Sequence, residues 1–144
     1  MITIKPLAPS DFPGWLPLWD ANNLGQKNEP VTCETWARLT NPEVPVHGLG
    51  AWKANKLAGI LHYIVHPVTG SINPVCYMQD LFVDPEFRNQ GIAKALLGEL
   101  ARAGKREQWN RIYWLADNSH AEAQGLYKSI GVKLDFSLHV LPVN

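Results

Sequence analysis

Apolar residues recur along the chain with two periodicities, one of about two residues and one of three to four residues. The alternating positions predict strands over residues 2–7, 46–53, 57–66, 75–83, 111–116 and 132–141. The wider spacing predicts a helix that follows Ser10-Asp11 and further helices over residues 32–39, 90–105 and 121–130. The resulting order, β-α-α-β-β-β-α-β-α-β, favours a mixed α+β sheet that is mostly antiparallel. The strands over residues 75–83 and 111–116 are expected to form a parallel pair, because the helix between them must cross over the sheet.

Residues with strong local preferences set the expected ends of these elements. Ser10-Asp11 is typical of a helix cap, and Leu24-Gly25 of a helix end. Thr32 is predicted to cap the second helix, and residues 54–56 are predicted to turn a hairpin. The first helix carries an apolar stripe that we interpret as core packing rather than as an aromatic substrate box: Phe12, Trp15, Leu16 and Trp19.

The composition indicates one globular domain. The chain has 144 residues, of which 46% are hydrophobic, and its 13 basic and 13 acidic residues cancel. A zero net charge argues against a nucleic-acid partner. No apolar run is long enough to span a membrane and the first residues do not resemble a signal peptide, so a cytoplasmic location is expected. Cys33 and Cys76 are interpreted as small buried thiols, with neither a metal site nor a disulfide.

One segment combines a buried strand, a turn and a helix start. The strand ends at Val83-Asp84-Pro85, and Arg88-Asn89-Gln90-Gly91-Ile92-Ala93 then opens the helix. The free amides and partial positive charge of a helix N-terminus suit a phosphate, and Gly91 leaves room for one. Arg88 and Lys94 add full positive charge. Alone, the short Arg-x-x-Gly-x-Ala pattern is more typical of a surface turn, and it matches neither the Walker loop nor the Rossmann fingerprint.

In this context the segment resembles the signature of the GCN5-related N-acetyltransferases. That family reads Val-x-Pro after a strand and then Arg/Gln-x-x-Gly-x-Gly/Ala, as residues 83–93 do here. Its next motif, Asn-x-x-Ala-x-x-Leu-Tyr-x-x-x-Gly-Phe, is similar to the stretch from His120 to Val132, which includes Leu126-Tyr127 and Gly131. The two motifs and the order of elements extend the resemblance over nearly the whole chain.

The resemblance implies acetyl-CoA as co-substrate and assigns its contacts. The backbone of Phe82 and Val83 is expected to pair with the pantetheine arm, between strands that splay after Val83 and Ala116. Tyr127 is expected to protonate the departing thiolate. The pyrophosphate is expected on the amides of one continuous run: Arg88, Asn89, Gln90, Gly91, Ile92, Ala93 and Lys94.

Two positions depart from the family pattern. Gln79 stands where relatives that act on diamines or basic peptides tend to carry Glu, and it cannot accept a proton. Asp80 is therefore a candidate general base, although a structural carboxylate is an equal alternative. The motif Asn is displaced, so that either Asn118 or His120 is a candidate contact for the cofactor, and a helix cap is the alternative for Asn118.

These features predict direct acetyl transfer from acetyl-CoA to a primary amine. A small amine or amino-acid-like acceptor is favoured, and it is expected to be selected around Asp20 to Thr35, where Asp20 and Glu29 could attract a cation. A non-catalytic acyl-CoA sensor is the alternative from another functional class. Residues 132–143 could join two copies as a homodimer.

Overall fold

A computed structural model describes residues 1–117 and 119–143 of the chain. Their contacts divide the chain into two compact units, residues 1–114 and residues 115–144. The strands are β1 (Ile2–Pro6), β2 (Val46–Lys53), β3 (Lys56–His66), β4 (Val75–Val83) and β5 (Ile112–Tyr113). The helices are α1 (Phe12–Asn22), α2 (Glu29–Leu39), α3 (Ile92–Glu107) and α4 (Ala121–Ile130). Short 3₁₀ turns cover Pro9–Asp11 and Pro85–Phe87.

The five strands form one sheet in the order β1-β2-β3-β4-β5. Strands β1 to β4 pair with one another in antiparallel fashion, and β5 runs parallel to β4. This confirms the mixed sheet and the parallel pair. The predicted hairpin is also confirmed. Its turn is shorter than expected, because Ala54 and Asn55 both take positive φ angles, 51° and 62°, and Lys56 already belongs to β3.

The core occupies both faces of the sheet. On one face Ile60 of β3 packs in a buried cluster with residues of α1 and α2, where the rings of Trp15 and Trp19 stack with centroids 5.3 Å apart. On the other face lies α3. There a Cβ added at Gly59 would stand 2.9 Å from Ile92 of α3, so only glycine permits this close approach. Burial of Trp15 and Trp19 confirms that the stripe on α1 is core packing.

Helix α2 begins three residues earlier than the pattern predicts. The Asn28 side chain, rather than that of Thr32, accepts the capping hydrogen bond, from the amide of Val31 at 3.3 Å. Thr32 is buried inside the helix, and its hydroxyl accepts a hydrogen bond from the Trp19 indole at 2.9 Å. The cap assignment to Thr32 was wrong because a tertiary partner binds its hydroxyl.

Two other predictions in the first unit are corrected. Cys76 is buried as expected, and burial raises the pKa of its thiol to about 12, but Cys33 is exposed on α2. Strand β5 covers only Ile112–Tyr113 instead of residues 111–116. Within the described residues, no helix is both long enough and apolar enough to cross a membrane.

In the second unit, α4 has the predicted bounds, but the predicted strand over residues 132–141 is not formed. Residues 131–143 pair with no strand in the described part of the chain. Their alternating apolar side chains are exposed, 86% at Val132 and 84% at Phe136. A period of two specifies which side chains share a face, whereas a strand also needs a hydrogen-bonding neighbour.

Candidate active site

Strand β4 leaves part of one edge open. It pairs with β5 only through Cys76 and Tyr77, so its edge from Met78 to Val83 has no strand partner among the described residues. The amide of Asp84 donates to the Ala58 carbonyl at 2.8 Å, and Val83 lies opposite Gly59. Alternation along an antiparallel pair then turns the N–H and C=O of Val83 toward the open edge. An extended, amide-bearing ligand can add there like a strand.

The same alternation turns the backbone of Phe82 toward β3. Phe82 lies opposite Ile60, where the two residues exchange ladder hydrogen bonds. Phe82 contributes its ring instead, which lies in the core and beneath the Arg88 guanidinium at 5.5 Å. The geometry therefore favours Val83, and Leu81 two residues before it, over Phe82 as the pairing residues at this edge.

The segment after β4 presents a row of backbone amides. Asp84 starts the 3₁₀ turn by accepting a hydrogen bond from the Glu86 amide at 3.0 Å. Asn89 and Gly91 then take positive φ angles, 62° and 80°, and α3 begins at Ile92. Among the described residues, none of the amides from 89 to 94 has an acceptor, as expected for the first turn of a helix. A Cβ built at Gly91 would meet nothing within 4 Å, so an anion can approach this backbone.

Positive charge flanks these amides. Arg88 and Lys94 are both exposed, and the Arg88 side chain donates from Nε to the Val83 carbonyl at 3.2 Å. Arg88 thus joins the amide-rich loop to the open edge. Of the run predicted from the sequence, residues 89–94 present unpaired amides near Val83. The amide of Arg88 donates to the Pro85 carbonyl at 3.4 Å, so only the side chain of this residue is available to an anion.

The β2–β3 hairpin braces this loop, which sequence reasoning did not predict. Lys53 donates to the Gln90 side chain. Lys56 lies 3.6 Å from Asp84 and 3.5 Å from Glu86. In the sequence, the only indication of these contacts is the lysine at each end of the hairpin turn. It does not reveal which residues of the loop the two lysines contact. Exposed pairs of this kind contribute about 1 kcal/mol or less each, so they orient the loop more than they stabilise the fold.

A bulge in β4 determines on which face of the sheet the side chain of Asp80, the candidate general base, lies. Met78 lies opposite Tyr63 and Asp80 opposite His62, so Gln79 is the extra residue. Gln79 is exposed. The bulge places Asp80 on the α1 face, the face that carries His62. A bulge leaves no mark in this sequence, and the two roles proposed for Asp80 could not be separated without it.

Two side chains form hydrogen bonds with Asp80, and a third binds one of these two. Its Oδ2 lies 2.9 Å from Nδ1 of His62, and its Oδ1 accepts a hydrogen bond from Asn22 at 3.2 Å. Nε2 of His62 in turn accepts a hydrogen bond from the Trp15 indole at 3.0 Å. The Asp80 side chain is 21% exposed, whereas that of His62 is 3% exposed. Of the Asp80–His62 pair, Asp80 is therefore the residue that a ligand can reach.

The remaining predicted residues belong to the second unit. Tyr127 is half-buried on α4, and burial raises the pKa of its phenol. His120 is the N-terminal cap residue of α4 without a side-chain capping bond. In the turn before His120, the Asp117 carboxylate accepts hydrogen bonds from the hydroxyl and the amide of Ser119. These hydrogen bonds lower the pKa of the Asp117 carboxyl. Asn118 lies outside the described residues.

A groove follows the link between α1 and α2, inside the region predicted to select the acceptor. Its described lining is mostly polar and amide-rich: Trp19, Asn22, Asn23, Leu24, Gln26, Lys27, Asn28, Val31 and Thr32. Lys27 is the one charged residue in that lining, and neither Asp20 nor Glu29 is part of it. Asn22 lines the groove and also binds Asp80, so it joins the groove to the carboxylate.

Residues 12–132 match the family model described as the acetyltransferase (GNAT) family. The chain belongs to that family. The match covers the open edge of β4, the loop over residues 84–91 and helix α4, and it confirms the family suggested by the two sequence motifs.

Known proteins agree with this assignment. The chain is 28% identical to the D-amino-acid N-acetyltransferase HPA3 of Saccharomyces cerevisiae over 96% of its own length and 89% of that protein. A solved ribosomal-protein-alanine N-acetyltransferase from Brucella melitensis biovar Abortus 2308 superposes with a TM-score of 0.82 at 21% identity, covering 99% of both chains. The aminoglycoside N-acetyltransferase AAC(6')-Iy in complex with CoA superposes with a TM-score of 0.85 at 15% identity, covering 100% of this chain and 96% of that one.

The protein is an acetyl-CoA-dependent N-acetyltransferase. The residues present fit this co-substrate: Val83 offers a backbone edge to an amide-bearing arm, and residues 89–94 offer unpaired amides to its phosphates. The open space at Gly91 and the charges of Arg88 and Lys94 complete that fit.

Proposed function

We propose that the enzyme transfers the acetyl group directly to the primary amine of a small, carboxylate-bearing acceptor such as an amino acid. The observation that carries this proposal is the groove beside Asp80, whose described lining includes Lys27 and no acidic side chain. An amino acid carries an ammonium and a carboxylate, and these two charges match Asp80 and Lys27. The similarity to an enzyme named for D-amino acids supports the same class.

Acetyl-CoA and three residues of the chain have proposed parts in the reaction. Acetyl-CoA supplies the activated thioester. Val83 presents its amide at the open edge, where it can donate to the thioester oxygen as that oxygen gains charge. Asp80 attracts the ammonium of the acceptor and takes its proton, directly or through a water. Tyr127, whose raised pKa keeps the phenol protonated, returns a proton to the departing thiolate.

Polycationic acceptors fit the groove less well. A polyamine or an aminoglycoside would bring several positive charges to a lining whose one charged residue is itself a lysine. Like charges repel, and the repulsion is screened only partly within a groove. We therefore expect amino acids to be better acceptors than amines of the same size that lack the carboxylate.

The test is amine-dependent release of CoA thiol from acetyl-CoA, measured with amino acids of both configurations and with the matching decarboxylated amines. Lys27→Met should raise KM for the amino acids by about two- to fivefold, the range of an exposed ion pair, and leave KM for the decarboxylated amines unchanged. Lys105→Met removes an equally exposed lysine from α3 and is the matched control.

Two results would overturn the proposal. If decarboxylated amines or polyamines are consistently the better acceptors, a carboxylate is not what the groove recognises. If acetyl-CoA binds but no amine in the panel releases thiol, the chain is a sensor of acyl-CoA and not a catalyst for small amines.

A further inference from the structure

The contacts around His62 determine which of its ring nitrogens carries the proton. The Trp15 indole N–H can only donate, so Nε2 of His62, 3.0 Å away, must present its lone pair. The single proton of the neutral imidazole then lies on Nδ1, which donates to Oδ2 of Asp80 at 2.9 Å. A second proton on the ring would have to displace the Trp15 contact.

The same chain of contacts requires Asp80 to act as an acceptor at both oxygens. His62 donates to Oδ2, and Asn22 donates to Oδ1 at 3.2 Å. A carboxylate has about four lone-pair sites, so each oxygen keeps one for another donor. The partial exposure of Asp80 leaves those sites open toward an incoming ammonium, whereas His62 is buried and both of its nitrogens are occupied.

The other groups around this pair are mostly uncharged. Helix α1 presents Trp15, Trp19 and Asn22 to it, and among the described residues no Lys or Arg forms an ion pair with Asp80. Tyr77 is the neighbouring titratable group on β4. Its pKa is raised by burial first, and then by the charges of Tyr113 and Asp80. Hydrogen bonds, rather than a permanent cation, therefore hold the Asp80 carboxylate.

We propose that Trp15 and His62 are positioning residues that keep Asp80 oriented as the proton acceptor of the site. Trp15 fixes the imidazole tautomer of His62. In that tautomer His62 donates to one carboxylate oxygen of Asp80, and the other oxygen binds Asn22, which lines the acceptor groove. The catalytic use of this arrangement rests on the proposed acetyl transfer. The tautomer is a property of the protein alone and can be measured without substrate.

The first experiment is nitrogen NMR of ¹⁵N-histidine-labelled protein across a pH series, on the full chain without ligand. His62 should show its proton on Nδ1. In Trp15→Phe the proton should no longer be confined to Nδ1, because the donor that fixed it there is gone. Trp19→Phe removes another buried indole N–H from the same aromatic cluster, one that binds Thr32, and should leave the His62 tautomer unchanged.

The second experiment measures kcat and KM separately. In Trp15→Phe kcat should fall with KM little changed, because the His62 ring is then no longer fixed in the tautomer that holds Oδ2 of Asp80. His62→Gln keeps a possible donor but cannot titrate. It should lower kcat by between about ten- and a hundredfold, as expected for a misplaced catalytic group, with the affinity for acetyl-CoA unchanged. Since Trp15 is fully buried, His62→Gln keeps the test open if Trp15→Phe folds poorly.

Either of two results overturns the inference: a native imidazole with its proton on Nε2, or a native kcat in His62→Gln. Failure of every amine to react would instead refute the proposed function. In that case the nitrogen spectra would still decide whether Trp15 and His62 hold Asp80 in this way.

Discussion

Tyr127 illustrates how burial adjusts a single residue for its proposed part. The folded phenol loses its proton above the ordinary value of about pH 10, because burial disfavours the phenolate and raises the pKa. The protonated form is the active form of a proton donor. Tyr127 should therefore cause no fall in kcat up to about pH 10, and any loss at lower pH has another origin.

Replacing Tyr127 with Phe should lower kcat by about a hundredfold or more, while the acetyl-CoA dissociation constant stays within about twofold. The ring keeps its packing and loses the hydroxyl that carries the proton. Steady-state kinetics and calorimetry together separate these effects. Tyr63→Phe is the matched control, since Tyr63 is also a tyrosine whose pKa is raised mainly by burial and it lies outside the site. Unchanged turnover in Tyr127→Phe would remove Tyr127 from the mechanism.

At the scale of elements, we propose that the junction between β4 and α3 binds acetyl-CoA. Gly91 caps α3 with a φ of 80°, a conformation that costs other residues about 1–2 kcal/mol. The space beside it is open, so a methyl group there would cause no clash within the protein. It would, however, stand where a phosphate must approach the amides.

Gly91→Ala should therefore lower the free energy of unfolding by about 1 kcal/mol and also weaken acetyl-CoA binding. The matched control is Gly25→Ala. Gly25 has a φ of 76° and equally open surroundings, but it lies in the α1–α2 link. Both variants should lose similar stability in chemical denaturation, and only Gly91→Ala should lose affinity in calorimetry. Equal affinities would place the phosphates elsewhere.

Element-level features were predicted well where the evidence was local. β4 and α4 have the expected bounds, since apolar spacing and the flanking turn residues indicate the same limits. The Thr32 cap failed because a tertiary hydrogen bond from Trp19 decided its role. The partners of Asp80 were not predictable at all. His62 lies 18 residues away and Asn22 lies 58 residues away in sequence, and the bulge that aligns them depends on strand register.

At the scale of the whole molecule, the exposed C-terminal segment is the least explained feature. Apolar side chains at every second position share one face of an extended chain, and here they are exposed: Val132, Leu134, Phe136, Leu138 and Val140. Exposed apolar faces of this kind often mark interaction surfaces. We propose that residues 132–143 pair between two copies of the chain in a homodimer.

Phe136→Asp should convert that dimer to a monomer, because it places a charge on the apolar face. Ser137→Asp adds the same charge on the opposite face of the extended segment and should leave the dimer intact. Size-exclusion chromatography with light scattering gives the mass in each case. A native chain that already has the mass of one copy would contradict the proposed pairing.

The most direct test of the account is amine-dependent thiol release by Asp80→Asn, with an amino acid as acceptor. We expect kcat to fall by between about a hundred- and ten-thousandfold, the usual contribution of a general base, with acetyl-CoA affinity unchanged. Glu99→Gln, which neutralises a carboxylate of similar exposure on α3, should behave as the native enzyme does. Native turnover in Asp80→Asn would contradict the account, because the groove, the bulge and the His62 contact would then serve a residue that takes no part in the reaction.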